Sequence, residues 1–289
     1  MNRPVAVITG ATSGLGRITA LELARRGYRI GVVARSRPKA EALLGELRST
    51  VGEAQADVFH ADLGITSQAR RAGEEIAARY PRLDVLVNNA GLHAFSQRVT
   101  AEGTAEMTAV NYLGPFALTR ALTHTLSASG PARIVNVASE AARQARSVSP
   151  RQDLRSTAPY TRRESMALYG RTKLMTIMWT QELARRLDPA KVTVNCCDPG
   201  FNATGLGRDL PGSALLRRTL NTLGVGDPRK GAGIIVRLAT DPAFAHTSGG
   251  YFSVRDARPL ACPEPGRDES VQGELWSETM ALLAGLTAP

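Results

Sequence analysis

Val5-Ala6-Val7-Ile8-Thr9-Gly10-Ala11-Thr12-Ser13-Gly14-Leu15-Gly16 begins as a short apolar run and turns through glycines into an amphipathic segment reaching Arg26. A short apolar run followed at once by a Gly-rich turn reads as a strand. The glycines let the backbone approach a ligand. Free N–H groups at the start of the following helix face an anion, so strand, turn and helix make a cradle for a pyrophosphate. The spacing is Gly-x-x-x-Gly-x-Gly over Gly10, Gly14 and Gly16, not the Gly-x-Gly-x-x-Gly of the ordinary dinucleotide fingerprint. As bare spacing it also fits a tight turn. Its place between a strand and a helix favours the nucleotide loop.

The same alternation continues along the chain. Strands are expected at Arg29–Ala34, 58–61, 83–87, 133–138, 191–197 and 250–254, with helices at 38–50, 67–80, 101–126, 164–187, 227–240 and 270–284. The helix at 101–126 carries Asn111 and is expected to break near Gly114-Pro115. Residues 140–163 are polar and hold Pro150 and Pro159, which reads as a surface excursion. Residues 201–226 mix Gly and Pro with leucines, which suits either a mobile apolar flap or a small helix packed on the core. Residues 255–267 read as a Pro-rich connector. Strands alternating with helices of this length imply parallel pairing. The expected fold is α/β, a Rossmann-type doubly wound, mostly parallel sheet with helices on both faces. Ligands then sit beyond the carboxyl ends of the strands. Without repeats or a long linker, the chain reads as one domain over 1–255, with 256–289 a C-terminal extension packed on it.

The 289 residues, 43% of them hydrophobic, suffice for a single large core. A net charge of +10 and a pI near 10.1 raise the question of a nucleic-acid partner. Of the 36 basic residues 4 are Lys, so 36 − 4 = 32 are Arg, scattered without a block of five or six. Aromatics at 5% are too few for a base-stacking platform. An Arg- and Ala-rich genome accounts for the charge better, and no nucleic-acid partner is expected. No apolar run approaches the ~20 residues that span a bilayer, and the chain enters a strand too early for a signal peptide. The expectation is a cytoplasmic protein without a membrane partner. Three cysteines, two of them adjacent at Cys196-Cys197, form neither a disulfide framework nor a metal-type spacing, so no metal is expected.

Tyr169-Gly170-Arg171-Thr172-Lys173 places a phenol and an ammonium four residues apart on a helix, hence on one face. A free Tyr, with a pKa near 10, moves protons poorly at neutral pH. A neighbouring cation favours the phenolate and makes it a usable general acid/base. Alone, this pair is more often a solvated face. Here it follows the nucleotide loop, Asp62-Leu63, Asn88-Asn89-Ala90-Gly91, Asn111 and Ser139, and precedes Pro199-Gly200 with Thr204.

In that order these motifs resemble the short-chain dehydrogenase/reductase family over about residues 3–255. Tyr169 to Leu174 running into Gln181-Glu182-Leu183-Ala184-Arg185-Arg186-Leu187, the long gap from Ser139 to Tyr169, and Gly250-Tyr251-Phe252 are similar to its retinol-dehydrogenase-like branch. The resemblance implies that Tyr169 exchanges a proton with a substrate alcohol or carbonyl while a hydride moves to or from a nicotinamide. It implies that Lys173 lowers the Tyr169 pKa and binds the nicotinamide ribose, that Ser139 hydrogen-bonds the reacting oxygen, and that Asn111 holds a water next to Lys173. Against these stand an ordinary helix N-cap for Ser139 and a helix-kink group for Asn111. The implied cofactor site comprises Gly10, Thr12, Ser13, Gly14, Leu15, Gly16, Arg35, Arg37, Asp62, Leu63, Asn89, Ala90, Gly91, Tyr169, Lys173, Pro199, Gly200 and Thr204.

The chain departs from the pattern at Thr172, where the family usually has Ser, and at Asp198, where the branch often has His before Pro-Gly. It also lacks the membrane-anchoring run of many members. The Thr172 change is mild, since it keeps the hydroxyl; the other two weigh against a membrane retinoid, and the Arg-rich composition suits a small, largely apolar metabolite of secondary metabolism. NADP(H) is the expected cofactor, because the second strand ends in Arg35-Ser36-Arg37 with no acidic residue before Glu41. A carboxylate there would accept from the ribose 2′-OH and repel a phosphate, whereas Arg pairs with a 2′-phosphate. The expected activity is NADP(H)-dependent interconversion of a ketone or aldehyde with an alcohol. Redox-neutral chemistry on the same fold and a non-catalytic NADP(H) sensor are the alternatives. The helix bearing Tyr169 is apolar on several sides, so either a second copy pairs with it by two-fold symmetry or the preceding long helix covers it within one chain.

Overall fold

β1 (Val5–Thr9) is buried along its length and deals its side chains to two cores. Val5 and Val7 join one core, and Ala6 and Ile8 the other. That is why the strand reads as an unbroken apolar run rather than an alternation. The computed structural model describes residues 3–200 and 227–286.

From β1 the chain runs α1 (Gly14–Arg25), β2 (Arg29–Ala34), α2 (Arg37–Val51), β3 (Ala56–His60), α3 (Thr66–Arg79) and β4 (Val85–Asn88). One turn, α4 (Glu106–Thr108), leads through a π-helical turn at Ala109–Leu113 into α5 (Gly114–Ser129). Then follow β5 (Ala132–Val137), a 3-10 turn at Glu140–Gln144, α6 (Pro150–Arg155), α7 (Ser165–Arg186) and β6 (Val192–Asp198). The last described elements are α8 (Pro228–Thr240), β7 (Tyr251–Ser253), β8 (Pro259–Leu260) and α9 (Glu269–Leu286). The eight strands form one sheet in the order β3-β2-β1-β4-β5-β6-β7-β8, parallel throughout except for β8. The fold is α/β of Rossmann type. Helices α3, α5, α7 and α9 cover one face, and α1, α2 and α8 the other. Strand order reverses between β1 and β4, so the loops after these strands part there and leave a crevice.

Three local expectations need correction. The irregularity placed at Gly114-Pro115 falls one turn earlier, at the π-helical Ala109–Leu113. Pro115 sits just after it, in the first turn of α5, with the backbone helical straight through Leu113 and Gly114. The polar excursion at 140–163 holds a 3-10 turn and α6, which is anchored by fully buried Leu154 and by Arg171 Nη1 donating to Asp153 Oδ1 at 2.7 Å. The Pro-rich connector contributes β8, which pairs antiparallel with β7 as Ser253 N–H donates to Arg258 O at 2.8 Å. The flap at 201–226 and Thr204 lie outside the described residues.

Helix α7 is buried nearly all round. The sheet and the 3-10 turn take two of its sides, and α9 lies along another with Leu275 fully buried. Trp276 stands 5.0 Å from the Phe116 ring, and the Arg186 guanidinium lies 4.5 Å over Trp276. Among the described residues no helix is long and apolar enough to cross a membrane.

Candidate active site

The loop after β1 is braced by the loop after β4. Thr9 Oγ1 accepts from the amides of Asn89 and Ala90, both at 3.0 Å. The Asn89 side-chain amide donates to Thr9 O at 2.9 Å and to Gly10 O at 3.3 Å. Gly10 has φ +67°, and a Cβ there would stand 2.9 Å from Ala90 Cα; one on Gly16 would stand 2.5 Å from Gly10 O. Only glycine allows the turn to close this tightly. Ser13 is the N-cap of α1 in extended backbone, Thr12 is half-buried beside it, and Leu15 turns into the core. No acidic side chain occupies the first turn of α1, so its N-terminus keeps its attraction for an anion.

At the adenosine end, Arg35 is the first residue past β2 and its side chain is 71% exposed. Its Nη1 reaches Asp62 Oδ2, beyond β3, at 3.3 Å, a contact too exposed to contribute much. Asp62 is held in place by Gly64 N–H at 2.9 Å on its carboxylate and by Gln68 Oε1 on its amide at 3.0 Å. Leu63 is buried against α5, and Arg37 is the exposed first residue of α2.

The chemistry-bearing residues converge at the carboxyl ends of β4, β5 and β6. Ser139 follows β5, and its side chain acts to lower the Tyr169 phenol. It is also the N-cap of the 3-10 turn, its Oγ accepting from Ala141 N at 3.1 Å, so the capping and site readings hold together. Gly170 allows this meeting: a Cβ there would lie 3.2 Å from the Ala141 carbonyl carbon and closer still to its oxygen. Tyr169 is buried, and burial together with the Asp198 charge pushes its phenol up, opposed by the Ser139 side chain. Lys173 Nζ stands 5.7 Å from the Tyr169 ring centre and donates to Val137 O at 2.8 Å. Burial pushes it down to about 8. Asn111, in the π-helical turn, accepts from Leu92 N at 2.8 Å and donates to Leu92 O at 2.9 Å and Thr172 Oγ1 at 3.0 Å. Its Oδ1 and Lys173 Nζ both flank Gly91, 3.3 and 3.4 Å from where a Cβ would be. Pro199 and Gly200, the latter at φ +73°, begin the loop after β6.

These residues fit a dinucleotide. A cradle that any Cβ would fill opens on a helix N-terminus, a cation stands at the adenosine end, and a phenol, hydroxyl and ammonium stand together at the other. The sequence reading missed Thr9 as a brace, and it missed the residues around Tyr169. The His93 ring lies 5.1 Å from the Tyr169 ring, with Nε2 at 3.1 Å from Ser165 Oγ. Asp198 accepts from Glu140 N at 3.1 Å, and Glu140 accepts from Tyr251 OH at 3.0 Å. Only Asp198 carried a signal, as a departure from the branch pattern.

The chain matches the short chain dehydrogenase family model over residues 4–150. It is 37% identical over 295 residues to mouse retinol dehydrogenase 14, covering 97% of this chain and 86% of that protein. It is 36% identical over 282 residues to DnrU, a candidate daunorubicin C-13 ketoreductase of Streptomyces sp. (strain C5), covering 98% and 93%. An uncharacterised protein from Mycobacterium paratuberculosis has a crystal structure that matches with TM-score 0.76 at 27% identity, covering 98% of this chain and 96% of that one. With the sheet order, cradle and site geometry above, the chain belongs to the short-chain dehydrogenase/reductase family of NAD(P)-dependent oxidoreductases, in its retinol-dehydrogenase-like branch.

Proposed function

We propose that this protein is an NADP(H)-dependent reductase that interconverts a ketone or aldehyde with an alcohol on a small, largely apolar metabolite, with Tyr169 as the general acid/base. The observation carrying the reading is the buried Tyr169 phenol with the Lys173 ammonium 5.7 Å from its ring centre, that ammonium standing beside Gly91 in the loop that braces the glycine cradle. A bound nicotinamide dinucleotide supplies or accepts the hydride. Tyr169 gives its proton to the substrate oxygen, Ser139 orients that oxygen, Lys173 holds the nicotinamide ribose, and Asn111 keeps the β4 loop at the right height beside Lys173. Arg35 and Arg37 meet a ribose 2′-phosphate. Asp62 and Leu63 border the adenine; Pro199 and Gly200 border the nicotinamide. A cytoplasmic location and action on a secondary metabolite are part of the proposal; the ketone reading is supported by the likeness to the Streptomyces protein named for ketoreduction.

The test is NADPH consumption by purified protein against retinal and a panel of cyclic and aliphatic ketones. Tyr169→Phe is expected to lower kcat by ~10²–10⁴, the usual contribution of general acid/base catalysis, with NADPH binding little changed. Wild-type turnover by Tyr169→Phe would remove Tyr169 from this role.

A further inference from the structure

We propose that His93 is a specificity-determining residue that selects carbonyl substrates carrying a hydroxyl on the first or second carbon from the carbonyl: its Nδ1 stands beside the Tyr169 ring as an open acceptor for that hydroxyl. The proposal rests on the reading of this site as a carbonyl reductase and deepens it by naming the substrate class.

The polar segment before α7 holds His93 in place. His93 lies in the loop after β4, two residues past Gly91. The Tyr160 hydroxyl donates between Ala94 O at 3.1 Å and Ser96 O at 2.9 Å, pinning the backbone that follows His93. The Arg162 guanidinium lies 4.8 Å over the Phe95 ring, and that ring stands 4.6 Å from the imidazole. Ser165, buried at the start of α7, meets the imidazole itself, with its Oγ 3.1 Å from Nε2. The ring is thus clamped against Tyr169, with 5.1 Å between ring centres and a tilt of 33°. Ser165 and Tyr169 are four residues apart on one face of α7, so a single rigid element carries the phenol and orients the imidazole.

These contacts decide the tautomer. A serine hydroxyl has one proton to give, and that of Ser165 goes to Arg162 O at 2.8 Å. Its oxygen therefore accepts from His93, and Nε2 carries the hydrogen. In the neutral imidazole the other nitrogen is then an acceptor. Burial pushes His93 below its ordinary value, so the ring stays neutral at neutral pH and Nδ1 keeps its lone pair. Among the described residues nothing donates to Nδ1, and the half-buried ring does not seal it in the core.

A phenyl ring would pack against Phe95 and Tyr169 in the same place with no polar atom to desolvate. What the imidazole adds is one nitrogen for Ser165 and one for a ligand. The oxygen reduced at this site must meet the Tyr169 hydroxyl. A ring stacked beside Tyr169 is then within reach of groups one or two carbons from the carbonyl. Only a donor satisfies Nδ1 there; a carbonyl or ether oxygen would set lone pair against lone pair. An ammonium would donate as well, but it would meet the Arg162 charge on the same wall. A hydroxyl meets neither objection.

The test compares wild type with His93→Phe, each saturated with NADP⁺, which cannot reduce a ketone. Isobutyrophenone, acetylcyclohexane and methyl isobutyl ketone are each paired with the tertiary alcohol bearing a hydroxyl on the first carbon from the carbonyl or, for the last, the second (diacetone alcohol). A tertiary hydroxyl cannot be oxidised to a carbonyl, so calorimetry reads binding alone. In the wild type the hydroxylated member of at least one pair is expected to bind about two- to tenfold more tightly, the size of one net hydrogen bond. His93→Phe should erase that preference and leave Kd for the plain ketone unchanged. His93→Leu replaces it should the Phe variant not fold. Nitrogen NMR of the imidazoles, assigned by the signals that the variant removes, should show His93 as the Nε2–H tautomer, with its Nδ1 signal moving when the hydroxylated ketone is added. Three results overturn the proposal: no preference in any pair, whether both members bind alike or neither binds; a preference that survives in the variant; or an Nδ1–H tautomer. Turnover of the same pairs with NADPH separates the two readings. A hydroxyl preference in binding without any reduction sinks the reductase and leaves the His93 site standing. Reduction of both members of every pair with equal kcat/KM keeps the reductase and sinks the selection by His93.

Discussion

Burial acts on the two central side chains of the site in opposite senses, raising the Tyr169 phenol and bringing the Lys173 ammonium down to about 8. For Lys173 the consequence for stability has a definite sign. Its ordinary value is 10.5, so between about 8 and 10.5 the unfolded chain binds the proton more than the folded one. Stability contributed through this group therefore rises with pH across that window, and the penalty is fully present below it. Lys173→Met is expected to flatten the wild-type slope of unfolding free energy over this range, as measured by urea titrations at several pH values; identical slopes would refute it. Arg35 is an isolated case of position deciding over composition, since it is one of 32 arginines yet the first residue past β2. Its contact with Asp62 is exposed and easily exchanged. A charge-assisted hydrogen bond to a 2′-phosphate contributes roughly 1.5–3 kcal/mol. The expected preference for NADPH over NADH in kcat/KM is at least about tenfold, mostly lost in Arg35→Ala. Equal use of both cofactors by the wild type counts against this reading of the loop.

At the scale of elements, the approach of the 3-10 turn Glu140–Gln144 to α7 depends on Gly170 lacking a side chain. Gly170→Ala is expected to push the turn and Ser139 away from Tyr169, costing ~1–3 kcal/mol of stability by overpacking. Thermal melts and NADPH titration together check it: kcat should fall while cofactor affinity holds, and unchanged kcat would mean the turn does not seat Ser139. The order of strands and helices was legible because doubly buried strands are unbroken apolar runs and the helices between them are amphipathic. Tyr169, Lys173 and the glycine loop were legible because each is a local spacing. The cluster around Asp198 was not, since Glu140 and Tyr251 are 111 residues apart and meet only through the sheet register. The π-helical turn at Ala109–Leu113 leaves no compositional mark, and the two residues of β8 are too few for any periodicity.

For the whole molecule, α9 changes the terms on which a second copy could bind. The apolar sides of α7 that suggested pairing are packed against the sheet, the 3-10 turn and α9 within one chain. The surface we propose for a two-fold partner narrows to the groove between α5, α7 and α9, lined by Phe116, Trp179, Leu183, Leu187, Trp276 and Met280. Light scattering at micromolar concentration should give twice the chain mass, reduced to one chain by Trp276→Asp; a monomeric wild type removes the proposal. The other consequence of the C-terminal region lies at the margin of the sheet. Without β8, the strand β7 would present unpaired amides and carbonyls, an open template for a neighbouring chain. Arg258 turns its carbonyl inward to Ser253, so the backbone of Pro259 faces outward, where it has no N–H to offer. A two-residue strand that begins with proline therefore ends the hydrogen-bonded lattice and guards a concentrated solution of this protein against edge-to-edge aggregation.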